Sequence, residues 1–450
     1  MRPRELKCLD KEWTEYVESL RAGLGRPERR RAMGWYVQGL LLEGERKSVQ
    51  PMAARLVETE IEAEAMRQRL QQCVVVSDWN DDLVRARLAQ RLDRELPGVE
   101  AFVIDDTGFP KKGTHSVGVA RQYSGTLGGV ENCQVATSLH LAAEGGSACI
   151  GMQMYLPKEW TEDPKRCHQV GVPKSIPFRT KPTIALDLLD RALEHGIRKH
   201  LVLADAGYGD SREFRTQIRT RGLHYLVAVA GSHTVWPPGV SPKRPPRTKR
   251  SGRPATRYRA EGVEPQTLQE TAASLEFQQV SWRAGSRGTQ TSWFAAVRLR
   301  SAEKHPKKQA PGEEEWLLCE WPAGKEEPSK FYFSSLPPSS SLHKLVRLAK
   351  LRWRVERDYQ ELKQEIGLDH WEGRNWRGFH HHVTLCAVAH AFLVLRRAIF
   401  PPQLPRKLDT SGRSCGAPAS PRASHREMPM LSTNLRSRDT TSRTLENVIK

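Results

Sequence analysis

Three stretches of this chain decide how it folds: AFVIDDTGFPKKG (residues 101–113), HLVLADAGYGD (200–210) and LRWRVERDYQELK (351–363). The first two begin with apolar runs, which predict strands buried in a sheet. Each run is followed by an acidic residue, Asp105 or Asp205, so each acid is expected where a strand leaves the sheet. The third stretch has the apolar spacing of an amphipathic helix, and Glu356 lies on it. The sequence therefore predicts three carboxylates delivered from separate elements.

The chain is also strongly basic. Its 450 residues include 71 Lys and Arg against 52 Asp and Glu, a formal net charge of +19. This excess favours a polyanionic partner, with nucleic acid as the leading expectation, although a basic protein with solvated charged faces is the plainer alternative. Because carboxylate oxygens are ligands that Mg²⁺ prefers, acidic residues gathered in a basic protein indicate a Mg²⁺ site that works on nucleic acid.

Cysteine usage and hydropathy bear on the compartment. The eight cysteines are scattered without a C-x-x-C pair, which favours a reducing cytosol over a disulfide framework or a zinc ribbon. The first residues lack the apolar core of a signal peptide. The most apolar run, TLCAVAHAFLVL (384–395), is about a dozen residues long, which is short for a bilayer span. We therefore expect an intracellular protein without a membrane partner.

Changes in the hydrophobic pattern divide the chain into five segments. These are a helical N-terminal DNA-binding domain at 1–97, the first part of a mixed α/β core at 98–231, a β-rich insertion with a basic loop at 232–337, the C-terminal helices of the core at 338–399, and a disordered tail at 400–450. In the first segment, Pro27 and Asp81 are helix-start signals. Its cluster of Arg29, Arg30 and Arg31 is a candidate DNA contact, although an ordinary solvated basic face fits equally well.

The expected helix from about Ser341 to Gly367 places charged residues on one face. On a helix, Arg352, Glu356 and Lys363 fall within roughly 60° of each other. Surface ion pairs with no further role would give the same spacing. For Asp105 and Asp205, strand ends are where open α/β sheets place ligand sites, but a turn or helix-cap role is the alternative for either residue alone.

Taken together, these blocks resemble the DDE transposases of bacterial insertion sequences, in the branch marked Y-x2-R-x3-E-x6-K. Arg352, Glu356 and Lys363 match the last three positions, IDDTG resembles the D-x-T block, and LADAGY resembles the D-x-G-Y block. The resemblance covers about residues 10 to 398. Ala349 stands at the signature tyrosine, a departure expected to weaken DNA binding without removing a metal ligand.

The resemblance implies an RNase H-like mixed sheet with flanking helices, interrupted by the β-rich insertion and preceded by the small all-α domain. It implies that Asp105, Asp205 and Glu356 gather within a few ångströms and hold two Mg²⁺ ions, with Mn²⁺ as a substitute. Asp106 competes with Asp105 for this role. Glu361 and Glu365 compete with Glu356, but neither has the Arg and Lys at matching steps.

The same resemblance implies a set of DNA contacts. Arg352 and Lys363 would bind phosphates beside the scissile bond. Weaker phosphate candidates are Lys111, Lys112 and Arg121. Trp282 and Trp293 are candidates for stacking a flipped base, although a core position is the simpler interpretation of each. His380, His381 and His382 are interpreted as polar surface or phosphate contacts and not as metal ligands.

The expected function is Mg²⁺-dependent cleavage at the ends of an insertion sequence, followed by transfer of the 3′-hydroxyl into target DNA. The resemblance further implies a homodimer on paired element ends, acting at the nucleoid in the bacterial cytoplasm. Ala349 and the unusual tail motivate an alternative, a catalytically inactive relic that only binds DNA. A hydrolase with two carboxylates as acid and base is disfavoured by the net charge of +19.

Overall fold

The computed structural model describes residues 3–243, 258–285, 288–303 and 312–399. The tail expected at 400–450 and most of the expected basic loop lie outside these ranges. The N-terminal region is helical, with α1 (Pro3–Leu20), α2 (Pro27–Leu41), α3 (Val49–Leu56), α4 (Glu60–Gln71) and α5 (Asp81–Glu95), a 3-10 turn at Arg21–Leu24 and a π-helical turn at Gln72–Val76. Both predicted helix starts are confirmed, because α2 begins at Pro27 and α5 at Asp81.

A mixed α/β core follows. Its elements are β1 (Val99–Pro110), β2 (Ala120–Ser124), a 3-10 turn (Gly125–Leu127), β3 (Gly129–Ala143), β4 (Ser147–Met154), α6 (Lys158–Thr161), α7 (Pro164–Gln169), α8 (Lys181–Glu194), β5 (Leu201–Ala204), α9 (Ala206–Gly209), α10 (Arg212–Thr220) and β6 (Tyr225–Val229). Strand β1 pairs antiparallel with β3 and parallel with β5, and β5 pairs parallel with β6. This mixed sheet with flanking helices confirms the predicted fold class.

The insertion extends the same sheet. It contributes β7 (Thr234–Trp236), β8 (Gln266–Thr267), α11 (Leu268–Ala273), β9 (Gln278–Gly285), β10 (Gly288–Ser301), β11 (Glu315–Trp321) and β12 (Lys330–Ser334). Strand β12 pairs antiparallel with β6, so the order within the described residues runs β2-β3-β1-β5-β6-β12-β11-β10. The continuous hydrogen-bonded ladder fixes the insertion rigidly against the core.

The C-terminal helices are α12 (Leu342–Leu351), α13 (Trp353–Gln364) and α14 (Trp376–Ile399). The single long helix expected over 341–367 was wrong, because the helix is interrupted at Arg352, where the Val355 N–H donates to the Arg352 carbonyl at 3.1 Å. The two halves pack on different surfaces: α12 on β9 and β10, and α13 on β1 and β4. Because no proline or glycine marks this break, the sequence pattern did not reveal it.

Helix α14 joins the N-terminal helices to the sheet. It packs against α2, α5 and β4, and the Tyr16 hydroxyl donates to the Val388 carbonyl at 2.7 Å. Within the described residues it is the one helix long and apolar enough to span a membrane, with 24 residues, so the expectation of too short a run was wrong. However, 78% of its apolar window is buried inside the protein, as in the central helix of a core.

Candidate active site

Strand register brings Asp105 and Asp205 side by side. Val103 pairs with Leu203 in the parallel ladder between β1 and β5. Asp105 and Asp205 each lie two positions further along the chain. Residues two apart on a strand point to the same face. Val103 and Leu203 lie in the apolar cluster beneath α12 and α13, so both acids face those helices.

The position of Asp105 differs from the sequence prediction. It lies in the middle of β1, opposite Ser138 of β3, and not where the strand leaves the sheet. Strand β5 ends at Ala204, so β1 continues past its parallel neighbour. Asp205 does follow its strand directly, as predicted, and precedes the short helix α9. The early end of β5 therefore opens the sheet edge beside Asp105.

Both carboxylates are poorly compensated for their burial. Burial raises the pKa of Asp105 to about 6, even though the Arg352 guanidinium works to lower it. Burial also raises the pKa of Asp205, again against the effect of Arg352. Asp205 Oδ1 is buried without a hydrogen-bond partner. Such atoms carry the full cost of desolvation, so this pair is suited to binding a cation.

Arg352 lies between the acids from the sheet and the acid from the helix. Its Nη1 donates to Asp105 Oδ2 at 2.7 Å, and its Nη2 lies 4.0 Å from Glu356 Oε1. The Glu356 side chain is 71% exposed and extends into solvent. Within the described ranges, no three Asp, Glu, His or Cys side chains are grouped as a metal site. Asp105 and Glu356 instead lie beside the guanidinium of Arg352.

Comparisons with known proteins identify the family of this chain. Residues 19–289, more than half of the chain, match a family model described as DDE superfamily endonuclease. The chain belongs to this family. A probable transposase for insertion sequence element IS701 from Microchaete diplosiphon is 30% identical over 171 residues, which are 38% of this chain and 42% of that protein. The chain therefore aligns with less than half of that relative's length. The resemblance drawn from the sequence blocks is confirmed at the level of the family.

The rival acids of this DDE superfamily endonuclease have other partners. Asp106 points to the opposite face of β1, where its Oδ2 accepts from Lys181 Nζ at 2.7 Å. Glu361 is buried and accepts from Arg357 Nε at 2.8 Å and from Arg397 Nη1 at 2.6 Å. Glu365 is half exposed, with Arg397 Nη2 at 4.0 Å.

The predicted phosphate-binding cations fall into two groups. Lys363 Nζ donates to the Gly108 carbonyl at 2.9 Å, and Lys111 Nζ donates to the Trp371 carbonyl at 2.8 Å. Burial lowers the pKa of both lysines. Lys112 and Arg121 are exposed. The first pair thus joins β1 and the residue after it to α13 and to the segment before α14, while the second pair is accessible.

The two tryptophan candidates also differ. Trp282 packs edge-on to Phe294 with ring centroids 5.7 Å apart, and Lys350 Nζ lies 4.5 Å from its ring centre. Trp293 is 47% exposed and lines a cavity of about 430 Å³ with Phe277 and Trp321. Of the pair, Trp293 has the more accessible ring.

A buried polar network beside the site was missed by the sequence analysis. Ser138 Oγ lies 2.6 Å from the Tyr359 hydroxyl and 3.0 Å from His140 Nε2. His140 Nδ1 lies 2.6 Å from Asp358 Oδ2, and Ser147 Oγ donates to Asp358 Oδ1 at 2.6 Å. Ser138 and His140 are 0% exposed, so this Ser-His-Asp set fastens α13 to β3 and β4 and cannot reach a substrate. A histidine within the apolar run of β3 was the available signal.

Two other expectations change. His380, His381 and His382 are buried on α14 and contact backbone carbonyls, so their interpretation as surface or phosphate contacts was wrong. Consecutive residues can all be buried because α14 is enclosed on every side by the N-terminal helices and the sheet.

Ala349 is 6% exposed and belongs to the apolar cluster beneath α12 and α13. Its position therefore faces the core.

Proposed function

We propose that this endonuclease is a transposase that cleaves the ends of an insertion sequence and transfers the 3′-hydroxyl into target DNA. The observation that carries the proposal is the adjacent pair of partly buried, under-compensated carboxylates, Asp105 and Asp205, with Arg352 at their open edge. The partial match to a probable transposase for an insertion sequence supports the biological role.

Asp105, Asp205 and Glu356 are the proposed ligands of two Mg²⁺ ions, with Mn²⁺ as a substitute. The residues fit this role because hard carboxylate oxygens suit Mg²⁺ and Asp205 Oδ1 has no partner of its own. Such ions supply activation of a water or 3′-hydroxyl and stabilisation of the leaving oxygen. The exposed Glu356 side chain is free to adjust, whereas the strand residues are held by the ladder.

The cations of the chain would position the DNA. Arg352 is held against Asp105 and presents a guanidinium to a phosphate beside the scissile bond, where it neutralises charge. Lys363 holds the end of β1 and adds positive charge to the same edge. The accessible Lys112 and Arg121 follow β1 and are proposed to contact the flanking backbone.

The N-terminal helices are proposed to bind DNA through a basic cleft. A cavity of about 740 Å³ is lined by arginines from α2 and α4, including Arg29, Arg31 and Arg69. The Arg69 guanidinium lies 5.9 Å from the ring centre of Trp35. Guanidinium groups beside an aromatic ring are suited to phosphates and unstacked bases. In the insertion, the accessible Trp293 is the proposed platform for a flipped base.

The decisive experiment uses the DNA that flanks the coding region. Inverted repeats there would identify the element ends, and a fragment that carries them is incubated with purified protein and Mg²⁺ or Mn²⁺. We expect metal-dependent strand cleavage at the repeat boundary and joining of the new 3′-end to a second DNA. Salt-sensitive binding without nicking at any protein concentration would instead establish the relic. Crosslinking on paired ends tests the expected homodimer.

A further inference from the structure

Helix α13 has a second basic face that the proposed chemistry does not use. Relative to Glu356, the positions of Arg354, Arg357 and Glu361 are rotated roughly 100–160° around the helix axis. These residues line a cavity of about 300 Å³ between α13, β9, the turn that joins β3 to β4, and the end of α14. The cavity therefore lies away from the face that carries Glu356 and Lys363.

The acids that line this cavity already have hydrogen-bond partners at both of their carboxylate oxygens. Asp358 accepts hydrogen bonds within the buried network of Ser147 and His140. Glu361 accepts from Arg357 and Arg397, and His390 Nε2 lies 3.2 Å from it. Four arginines line the cavity against these two acids, so the lining carries net positive charge.

Two arginines remain. Across the described parts of the chain, Arg283 of β9 and Arg354 of α13 have no carboxylate within salt-bridge distance. Their guanidinium carbons lie 3.9 Å and 4.6 Å from the ring centre of Trp353. Arg354 Nε is buried without a hydrogen-bond partner. Two guanidiniums beside one indole, one with an unsatisfied buried donor, form a site suited to an anion.

We infer that this cavity binds a phosphodiester group of DNA through Arg283 and Arg354, separately from the DNA held at the carboxylates. The inference takes its ligand class from the proposed function. The planar forks match phosphate oxygens, and Trp353 restricts their orientation. Helix α13 then separates two DNA contacts. In the second contact, Arg354 comes from α13 and Arg283 comes from β9 of the insertion.

The salt dependence of DNA binding tests this inference. Binding of a DNA duplex is measured over a range of salt concentrations in metal-free buffer for the wild type, Arg283→Ala and Arg354→Ala. Each variant should bind about fivefold more weakly near 0.15 M salt and lower the slope of log K against log salt by about 0.9, the value for one phosphate contact. The control is Lys199→Ala, an exposed cation just before β5 at the opposite end of that strand from Asp205, which should match the wild type.

Further measurements keep the test interpretable. Should Arg354→Ala fail to fold, Arg283→Glu on the exposed side of β9 still reverses one charge and should weaken binding more than Arg283→Ala. Cleavage rates at saturating protein should stay at the wild-type level in the control Lys199→Ala. Wild-type slopes in folded Arg283→Glu and Arg354→Ala would overturn the inference. Wild-type protein that bound no DNA would instead overturn the proposed function.

Discussion

Two pairs of carboxylates differ in their partners: Asp105 and Asp205 are partly buried on the sheet, and Asp358 and Glu361 are buried on helix α13. Arg352 donates a hydrogen bond to Asp105 and acts on Asp205 only through its charge, and burial raises the pKa of both acids. Asp358 and Glu361 have hydrogen-bond donors or ion-pair partners at every oxygen. For Glu361, burial acts to raise the pKa, but His390 and Arg397 hold it well below its usual range. Compensated acids of this kind stabilise a fold, whereas under-compensated acids are suited to a ligand.

The largest expected effect separates the pairs by activity. Asp105→Ala or Asp205→Ala should lower Mg²⁺-dependent cleavage by roughly a thousandfold or more, because the proposed metal ligands are removed. Duplex binding measured by a mobility shift should change little. Glu356→Ala should behave in the same way, and its matched control is Glu365→Ala, at a half-exposed position directly after the same helix. Full cleavage by any of the three variants would remove that residue from the site.

The next effect separates the pairs by stability. Glu361→Gln should lower the free energy of unfolding by about 3 kcal/mol, since it leaves Arg397, Arg357 and His390 without their anion. This is the lower end for a buried ion pair because Arg357 and Arg397 are half exposed. Urea unfolding measures it, and Glu365→Gln should remain within about 0.5 kcal/mol of the wild type. An equally small change for Glu361→Gln would contradict its structural role.

How far the sequence predicts this architecture depends on the range of the signal. Apolar runs and spacing predict β1, β5 and the helical N-terminal region, because each pattern is local. That β5 ends beside Asp105 follows from the register between two strands that are distant in the sequence. A local sequence pattern carries no information about that register. The break at Arg352 and the burial of all three consecutive histidines arise from packing on several partners. Likewise, Arg352 matches the signature by spacing, but its contact with Asp105 required the folded sheet.

A further effect uses the buried histidines as titrating groups outside the active site. Burial lowers the pKa of His380 and His382 from an ordinary 6.5 to about 4. As pH falls below about 6.5, the unfolded chain therefore takes up protons that the folded chain excludes. Stability should fall by up to about 1.4 kcal/mol per pH unit for each histidine. Urea unfolding from pH 7 to 5 measures this slope, and His382→Gln should flatten it. If His382→Gln folded and its pH slope equalled that of the wild type, His382 would take up a proton as readily in the folded core as in the unfolded chain.

The smallest expected effect tests the comparison most directly, because it has the opposite sign to the effect of Glu361→Gln. A raised pKa means that the surroundings of Asp205 disfavour its charged form, even with Arg352 nearby. Asp205→Asn should therefore stabilise the metal-free protein at pH 8 by about 1 kcal/mol, because the raised pKa already includes the attraction to Arg352. Urea unfolding in the presence of a chelator measures it, and cleavage should be lost in the same variant. If Asp205→Asn destabilised the fold as Glu361→Gln is expected to do, Asp205 would belong with the compensated acids. Stabilisation combined with lost cleavage would instead show that the protein retains an unfavourable buried charge for its chemistry.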